Sequence, residues 1–399
     1  MLAYMNRFST ITSVALLAAL IVGLCGCDNV VNIWNLFDNE QDDGQVDILY
    51  QPIPMDIGLV VPLTGEYAPP YGLSMERGFN LARDEINNSP LSPFRINFVV
   101  EDDMSTAEGM VDAFERLVAA DVSAIVGIVI STHAEQAFPI AQENQIVTFS
   151  SVSSAAGLSS IGDYIFRAAL ATDKLNPAGV NATHAALGYE RVAMIYDDAD
   201  VWSTSSNEHL TAALLELDVE IAATETFQKG DTDFTAQLTA IMELNPDALF
   251  ISALSAEVVN VMVQGREIGI ESQYIAPELG MNEIELAGDA AEGVITFTSW
   301  HSTTDNPINQ AFVASYESAY GIAPDPWAAQ SYATLHILFA GMVTALGTNT
   351  EAPDSTAIRD ALATVENIQT NLGSFSFDPN GEAVYEPVVL TVRDGNIEL

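Results

Sequence analysis

Along this chain short apolar runs alternate with stretches whose apolar residues recur every three or four positions, the signature of strands and amphipathic helices in turn. Met55 to Pro62 reads as a strand, and a loop with Gly65, Pro69, Pro70 and Gly72 follows. Met75, Phe79, Ala82 and Ile86 then share one helical face. Strand Arg95 to Glu101, helix Ala107 to Ala119 and strand Ala124 to Ile130 continue the order, with a helix leading on to a strand at Gln145 to Phe149. A second series opens after Arg167 to Asp173 with a helix to Leu187 and strand Arg191 to Tyr196. Helix Ser206 to Leu217, strand Glu220 to Thr226, helix Phe234 to Leu244 and strand Ala248 to Ser252 come next, then helix Ala256 to Ile268 and strand Gln273 to Ala276. After Gly293 to Trp300 there are helices at Pro307 to Tyr320, Trp327 to Leu346 and Ser355 to Val365, and a β ending with a Pro-Asn-Gly turn. Such alternation predicts an α/β protein of two doubly wound parallel-sheet lobes, with the chain returning to each.

Composition supports two sizeable cores: the chain has 399 residues, 49% of them hydrophobic. Charge narrows the partners. Against 55 acidic residues stand 12 basic ones, a formal net charge of -43, which repels phosphate backbones and argues against nucleic acid. Two readings of that surface stay open, a high-salt habitat in which screening shortens self-repulsion and an acidic secreted protein.

The N-terminus changes the picture again. One arginine, Arg7, precedes an apolar run from Ile11 to Leu24, too short for a comfortable membrane span and shaped like a secretory signal. Leu24-Cys25-Gly26-Cys27 resembles a bacterial lipobox, which implies a signal peptide over residues 1–26 and a lipidated Cys27 as mature N-terminus. An uncleaved anchor is the alternative, with the same location outside the cytoplasm. Residues 27–54, rich in Asn, Asp and Gln, read as a tether. Both cysteines of the chain lie here, so no disulfide is expected in the mature protein.

Candidate chemistry clusters at two strand ends. In a parallel sheet, ligands settle beyond the carboxyl ends of the strands, where this chain carries Ser131, Thr132, Ser153 and Ser154. Thr132 and Glu135 have the spacing of a capping box, which would open the intervening helix toward that crevice with its free amides and positive dipole end available to an anion. Tyr71 and Trp202, in loops beyond other strand ends, are candidate pocket walls.

Four segments carry a resemblance. IGLVVPLTGEYAPPYGLSMERGFNLARDEIN, VGIVISTHAEQAFPIAQENQI, KGDTDFTAQLTAIMELNPDALFI and APELGMNEIELAGDAAEGVI, in that order, resemble type I periplasmic binding proteins of the leucine/isoleucine/valine-binding class. The similarity runs from about Met55 to the C-terminus. It implies two lobes joined by three crossings near Ala168 to Asp173, Phe297 to His301 and Gly373 to Asp378. Lobe 1 would then hold residues 55–170 and 300–375, and lobe 2 residues 171–299 and 376–399. The resemblance also implies that Ser131, Val152, Ser153 and Ser154 meet the α-carboxylate of an amino acid, that Ser154 helps to hold its ammonium, and that Glu278 faces the ammonium from lobe 2. Where relatives have a tyrosine this chain has Leu254, so its side-chain subsite differs.

The expected activity is that of a monomeric, lipid-anchored extracytoplasmic protein that binds a small amino acid, neutral or branched-chain, and delivers it to an ABC permease. A sensory receptor subunit of the same fold is the other reading, as is an amide, urea or aromatic acid as ligand. Neither an enzyme, a metal site nor a cofactor is expected: Ser131 lacks a nucleophile elbow, the five histidines form no HExxH pair, and Asp102-Asp103 and Asp197, Asp198 and Asp200 lack a calcium-loop spacing.

Overall fold

A computed structural model describes residues 51–398. Cys27, the expected signal segment and nearly all of the expected tether lie outside the described residues. Strand β1 (Ile53–Val61) starts two residues before Met55, taking Ile53 and Pro54 from the expected tether.

The first lobe is a five-stranded parallel sheet in the order β2-β1-β3-β4-β5. Beside β1 it comprises β2 (Phe94–Asp102), β3 (Ala124–Gly127), β4 (Thr148–Ser150) and β5 (Ile165–Arg167). Its inner strands are covered on both faces, which is why β3 and β4 contain no exposed position. The first helices are α1 (Leu73–Asn88), α2 (Ala107–Ala119) and α3 (Ser131–Glu143). Thr106 caps α2 by accepting from the Gly109 amide, and the four periodic residues of α1 are fully buried.

The second lobe has a seven-stranded sheet in the order β15-β14-β10-β9-β8-β6-β7. It is built from β6 (Arg191–Asp197), β7 (Glu220–Phe227), β8 (Ala248–Ser252), β9 (Gln273–Ile275) and β10 (Ile295–Thr298), all parallel, with β14 (Val388–Arg393) and β15 (Asn396–Glu398) antiparallel at one edge. Between the strands run α4 (Thr172–Leu187), α5 (Val201–Glu216), α6 (Thr235–Leu244), α7 (Ser255–Glu267) and α8 (Met281–Ala287).

The chain then returns to the first lobe with α9 (Pro307–Tyr320), α10 (Pro326–Leu346) and α11 (Ser355–Leu362). Helix α10 is apolar nearly all round because it is enclosed by α1 and α11, and among the described residues no helix is long and apolar enough to cross a membrane. Gly78 explains the close fit of α1: a Cβ there would stand 2.3 Å from the carbonyl oxygen of Ala328.

Three segments cross between the lobes, and the third departs from expectation. Residues 168–171 and 299–306 make the first two, overlapping the expected Ala168 to Asp173 and Phe297 to His301. The segment expected to cross at Gly373 to Asp378 instead forms β12 (Gly373–Phe377), which pairs with β11 (Ile368–Thr370) and β13 (Ala383–Val384). That small sheet stays with lobe 1, since Phe377 packs on Phe149 and Phe166 and the Arg167 amide donates to the Gly381 carbonyl. Residues 376–384 therefore belong to lobe 1, and the crossing is 385–387.

Candidate functional site

A cavity of about 50 Å³ lies between the lobes, walled by the loops and helix starts that follow the carboxyl ends of β1, β3, β4, β6, β8 and β9, with Trp327 of α10. That is several times the roughly 10–15 Å³ that one water centre needs, so it suits a small solute.

The first-lobe wall begins with backbone strain. Gly127 leaves β3 at φ +111°, where a Cβ would collide with the Val60 carbonyl oxygen at 2.0 Å. Ile128 follows at φ +62°, a costly conformation for a β-branched residue. It is held there because its carbonyl accepts from the amides of Val152 and Ser153 and from Ser150 Oγ. This turn swings Val129, Ile130 and Ser131 toward the cavity, with Ser131 opening α3. First-turn amides of a helix have no acceptor within it, so this end of the wall is rich in donors. Ser131 Oγ accepts from the Ala155 amide at 3.2 Å.

Arg167 shapes the next loop. Fully buried, it pairs with Glu382 through Nε and Nη2 at 2.5 to 2.9 Å, while Nη1 donates to the carbonyls of Ser153 and Ala155. These bonds fix the chain on either side of Ser154, whose hydroxyl donates to Glu278 Oε2 at 2.7 Å.

Glu278 comes from the second lobe, after β9, at φ +55°. Its Oε2 also accepts from Trp202 Nε1 at 2.9 Å, whereas Oε1 is buried without a partner. Burial pushes its carboxyl up to about 7, although the bonds from Ser154 and Trp202 and the charge of Arg167 work in the opposite direction. Tyr71 and Trp327, from the first lobe, meet edge to face with centroids 5.4 Å apart. Ser255 Oγ lies 2.8 Å from both Tyr71 Oη and Glu283 Oε1. One serine proton serves only the carboxylate, so the chain runs from phenol to serine to glutamate. Burial and the Glu283 charge hold the Tyr71 phenol well above its ordinary range.

The structure thus brings Tyr71, Ser131, Val152, Ser154, Trp202 and Glu278 to one cavity, and Leu254 with them. Two of the expected residues stand apart. Ser153 turns its hydroxyl to Ser150 Oγ at 2.6 Å, away from the void, because neighbouring residues in an extended chain face opposite ways. Thr132 is no cap: α3 begins at Ser131 after Ile130 with no side-chain cap, and Glu135 is exposed. Its hydroxyl instead donates to Asp200 Oδ1 at 2.7 Å and accepts from the Val201 amide, a bond between lobes. Trp202 lies in α5, two residues after its capping Asp200, rather than in a loop.

Sequence reasoning missed Trp327, Ser255 and Glu283. The Asp-Pro pair before Trp327 marks a helix start, and Asp325 does cap α10, a signal that was available. Glu283 is one acid among 55, with nothing to single it out. Among the described residues no three His, Cys, Asp or Glu side chains gather as a metal site.

Comparison with known proteins bears on the whole described chain. Residues 54–396 match the family model described as periplasmic binding protein. An amino acid binding protein of Pseudomonas aeruginosa is 25% identical over 82% of this chain and 86% of its own length. A leucine-binding protein of Thermotoga maritima superposes with a TM-score of 0.80 at 25% identity, covering 86% of this chain and 97% of that one. A solute-binding protein of Rhodopseudomonas palustris, solved with benzoate, shares the fold with a TM-score of 0.75 at 23% identity over 86% of this chain and 94% of its own.

Proposed function

This chain belongs to the periplasmic binding protein family, and on that premise we propose that it captures a small amino acid outside the cytoplasm by closing two lobes around it. It then delivers the solute to the permease of an ABC importer. One observation carries the ligand class: a carboxylate at the meeting of both lobes, Glu278, has one oxygen tied to Ser154 and Trp202 and the other buried without a partner. A buried carboxylate is costly unless its remaining capacity is filled, and an ammonium fills it. Opposite it, Ser131, the open first turn of α3 and the loop at Val152 and Ser154 supply donors for an α-carboxylate.

The same contacts support closure. Ser154 to Glu278, Thr132 to Asp200, and Tyr71 to Ser255 each join the lobes. A ligand touching both walls makes its full set of contacts only when they meet, which favours the closed form. An aromatic acid, as in the benzoate complex, brings a second carboxylate to Glu278 and no cation, so an amino acid suits the cavity better. Cys27 as a lipidated mature N-terminus would keep the protein at the membrane that holds its permease, and the receptor reading differs only in the partner that senses closure.

The test is a thermal-shift screen of the common amino acids, urea, simple amides and benzoate, followed by calorimetry on every hit. A ligand that binds only the folded state raises its melting point. An amino acid as tightest ligand supports the reading; benzoate or an amide as tightest, with amino acids silent, overturns it.

A further inference from the structure

Glu283 occupies the far end of the same cavity, beside Tyr71, Ser255 and Trp327, and it leaves an acceptor over. The residue is 4% exposed, its Oε1 accepts from Ser255, and its Oε2 has no partner. As the third residue of α8 after Gly280, it stands where a capping carboxylate would reach back to the Gly280 amide. It makes no such bond, although Oε2 would lie only 2.9 Å from a Cβ placed on Gly280. Nor does a cation of the chain answer it. Among the described residues neither glutamate of the cavity is in an ion pair, and the chain's two lysines, Lys174 and Lys229, pair with Asp173 and Glu66.

We propose that Glu283, with Ser255 and Tyr71, forms a polar side-chain subsite, so that the ligand is a small amino acid whose side chain ends in a hydrogen-bond donor and not an aliphatic one. This deepens the amino-acid reading and rests on it. Two carboxylates wall the cavity, each with one oxygen spoken for inside the protein and one left over. Glu278 lies at the Ser154 and Trp202 end and answers an α-ammonium. Glu283 lies at the aromatic end and answers a second donor. An aliphatic side chain there would bury the Glu283 acceptor against carbon, and a site built to hydrogen-bond a ligand discriminates strongly against analogues that lack the group. The expectation from sequence of a neutral or branched-chain ligand is thus changed: branched-chain side chains drop out, and a donor-bearing one, neutral or cationic, takes their place.

Calorimetry on pairs of similar shape tests this: L-threonine against L-valine, L-asparagine against L-leucine, and L-ornithine against L-norleucine, on the wild type, Glu283→Gln and Glu283→Leu. The wild type is expected to favour the donor-bearing member of at least one pair by about ten- to a hundred-fold, the range of a hydrogen bond to a charged group. Glu283→Leu should erase or invert that ratio, and Glu283→Gln, which keeps the shape and the bond from Ser255, should reduce it. Tighter binding of the aliphatic member in every pair overturns the subsite while leaving the amino-acid reading intact. An unchanged ratio in both variants does the same. Failure of all six amino acids to bind overturns the subsite, and the amino-acid reading falls with it only if the wider screen yields no amino acid either; if the leucine variant does not fold, the wild-type ratios and the glutamine variant still decide.

Discussion

Ser154 and Glu278 belong to different lobes, and the serine hydroxyl meets the carboxylate Oε2 at 2.7 Å across the cleft. The contact ties the proposed ammonium acceptor to the junction of the two lobes. Glu278 is held at φ +55°, which costs roughly 1–3 kcal/mol for a residue other than glycine. Its amide, donating to the Phe297 carbonyl at 3.0 Å, helps keep it there.

Binding should depend on pH through Glu278. Its unfolded carboxyl ionises near 4.5, and burial pushes the folded, ligand-free one up to about 7. Between those values the folded protein keeps a proton that the unfolded chain has lost, so this stabilising contribution is whole below 4.5 and vanishes as pH rises through about 7. An ammonium ligand requires the ionised form and expels the proton. Affinity should therefore weaken about tenfold per pH unit below 7 and level off above it. Titrations at pH 6 in buffers of different ionisation enthalpy should report a released proton for the wild type and none for Glu278→Gln. Affinity that stays constant from pH 5.5 to 8 would contradict this.

Arg167 is expected to position the site rather than touch the ligand. Arg167→Met leaves Glu382 buried and unpaired, at a cost of roughly 3–5 kcal/mol in unfolding free energy. It also frees the carbonyls of Ser153 and Ala155, so ligand affinity should fall as well. Urea melts would check the first effect, and the double variant Arg167→Met, Glu382→Leu should recover much of the lost stability. A single variant as stable as wild type would show that the pair is dispensable.

How much of this was legible beforehand differs by element. Helix Ala107–Ala119 and strand Ala248–Ser252 stand where periodicity places them, because a capped amphipathic helix and a run buried on both faces each leave a local pattern. The strand expected at Gln145 to Phe149 is instead Thr148–Ser150, since the Ile146 amide still bonds back to Ala141 of the preceding helix, although both Ile146 and Val147 are buried. The third crossing shifted for a related reason: β11 to β13 complete a small sheet, and strand character does not reveal which sheet a strand joins. At the cavity, Ser131, Ser154 and Glu278 were recoverable from position and resemblance, whereas Ser153 turns away. The Asp-Pro helix start also marked Trp327, but the inter-lobe bond of Thr132 and the place of Glu283 left no local sign, because they rest on contacts with Asp200 and Ser255, far off in the chain.

Closure should be visible in solution. With a verified ligand, small-angle scattering is expected to give a smaller radius of gyration than without it, as the lobes hinge at residues 168–171, 299–306 and 385–387. An identical radius in both states would mean lobes fixed with respect to each other.

Salt should stabilise the fold. At a formal net charge of -43, self-repulsion is long-ranged in dilute buffer and shortened to about 3 Å in molar salt. Unfolding midpoints are expected to rise over that range, and midpoints that stay flat or fall would remove the case for a high-salt adaptation.

Calorimetry of the tightest amino acid from the screen on wild type, Glu278→Ala and Glu278→Gln bears most directly on the proposed function. Removing the carboxylate leaves the ligand's ammonium buried and unpaired, a loss of roughly 2–5 kcal/mol. Affinity should then drop by roughly thirty-fold to several thousand-fold, with a smaller loss for the glutamine variant and the melting temperature of the ligand-free protein little changed. An alanine variant that binds as tightly as wild type would contradict the assignment and take Glu278 out of the site.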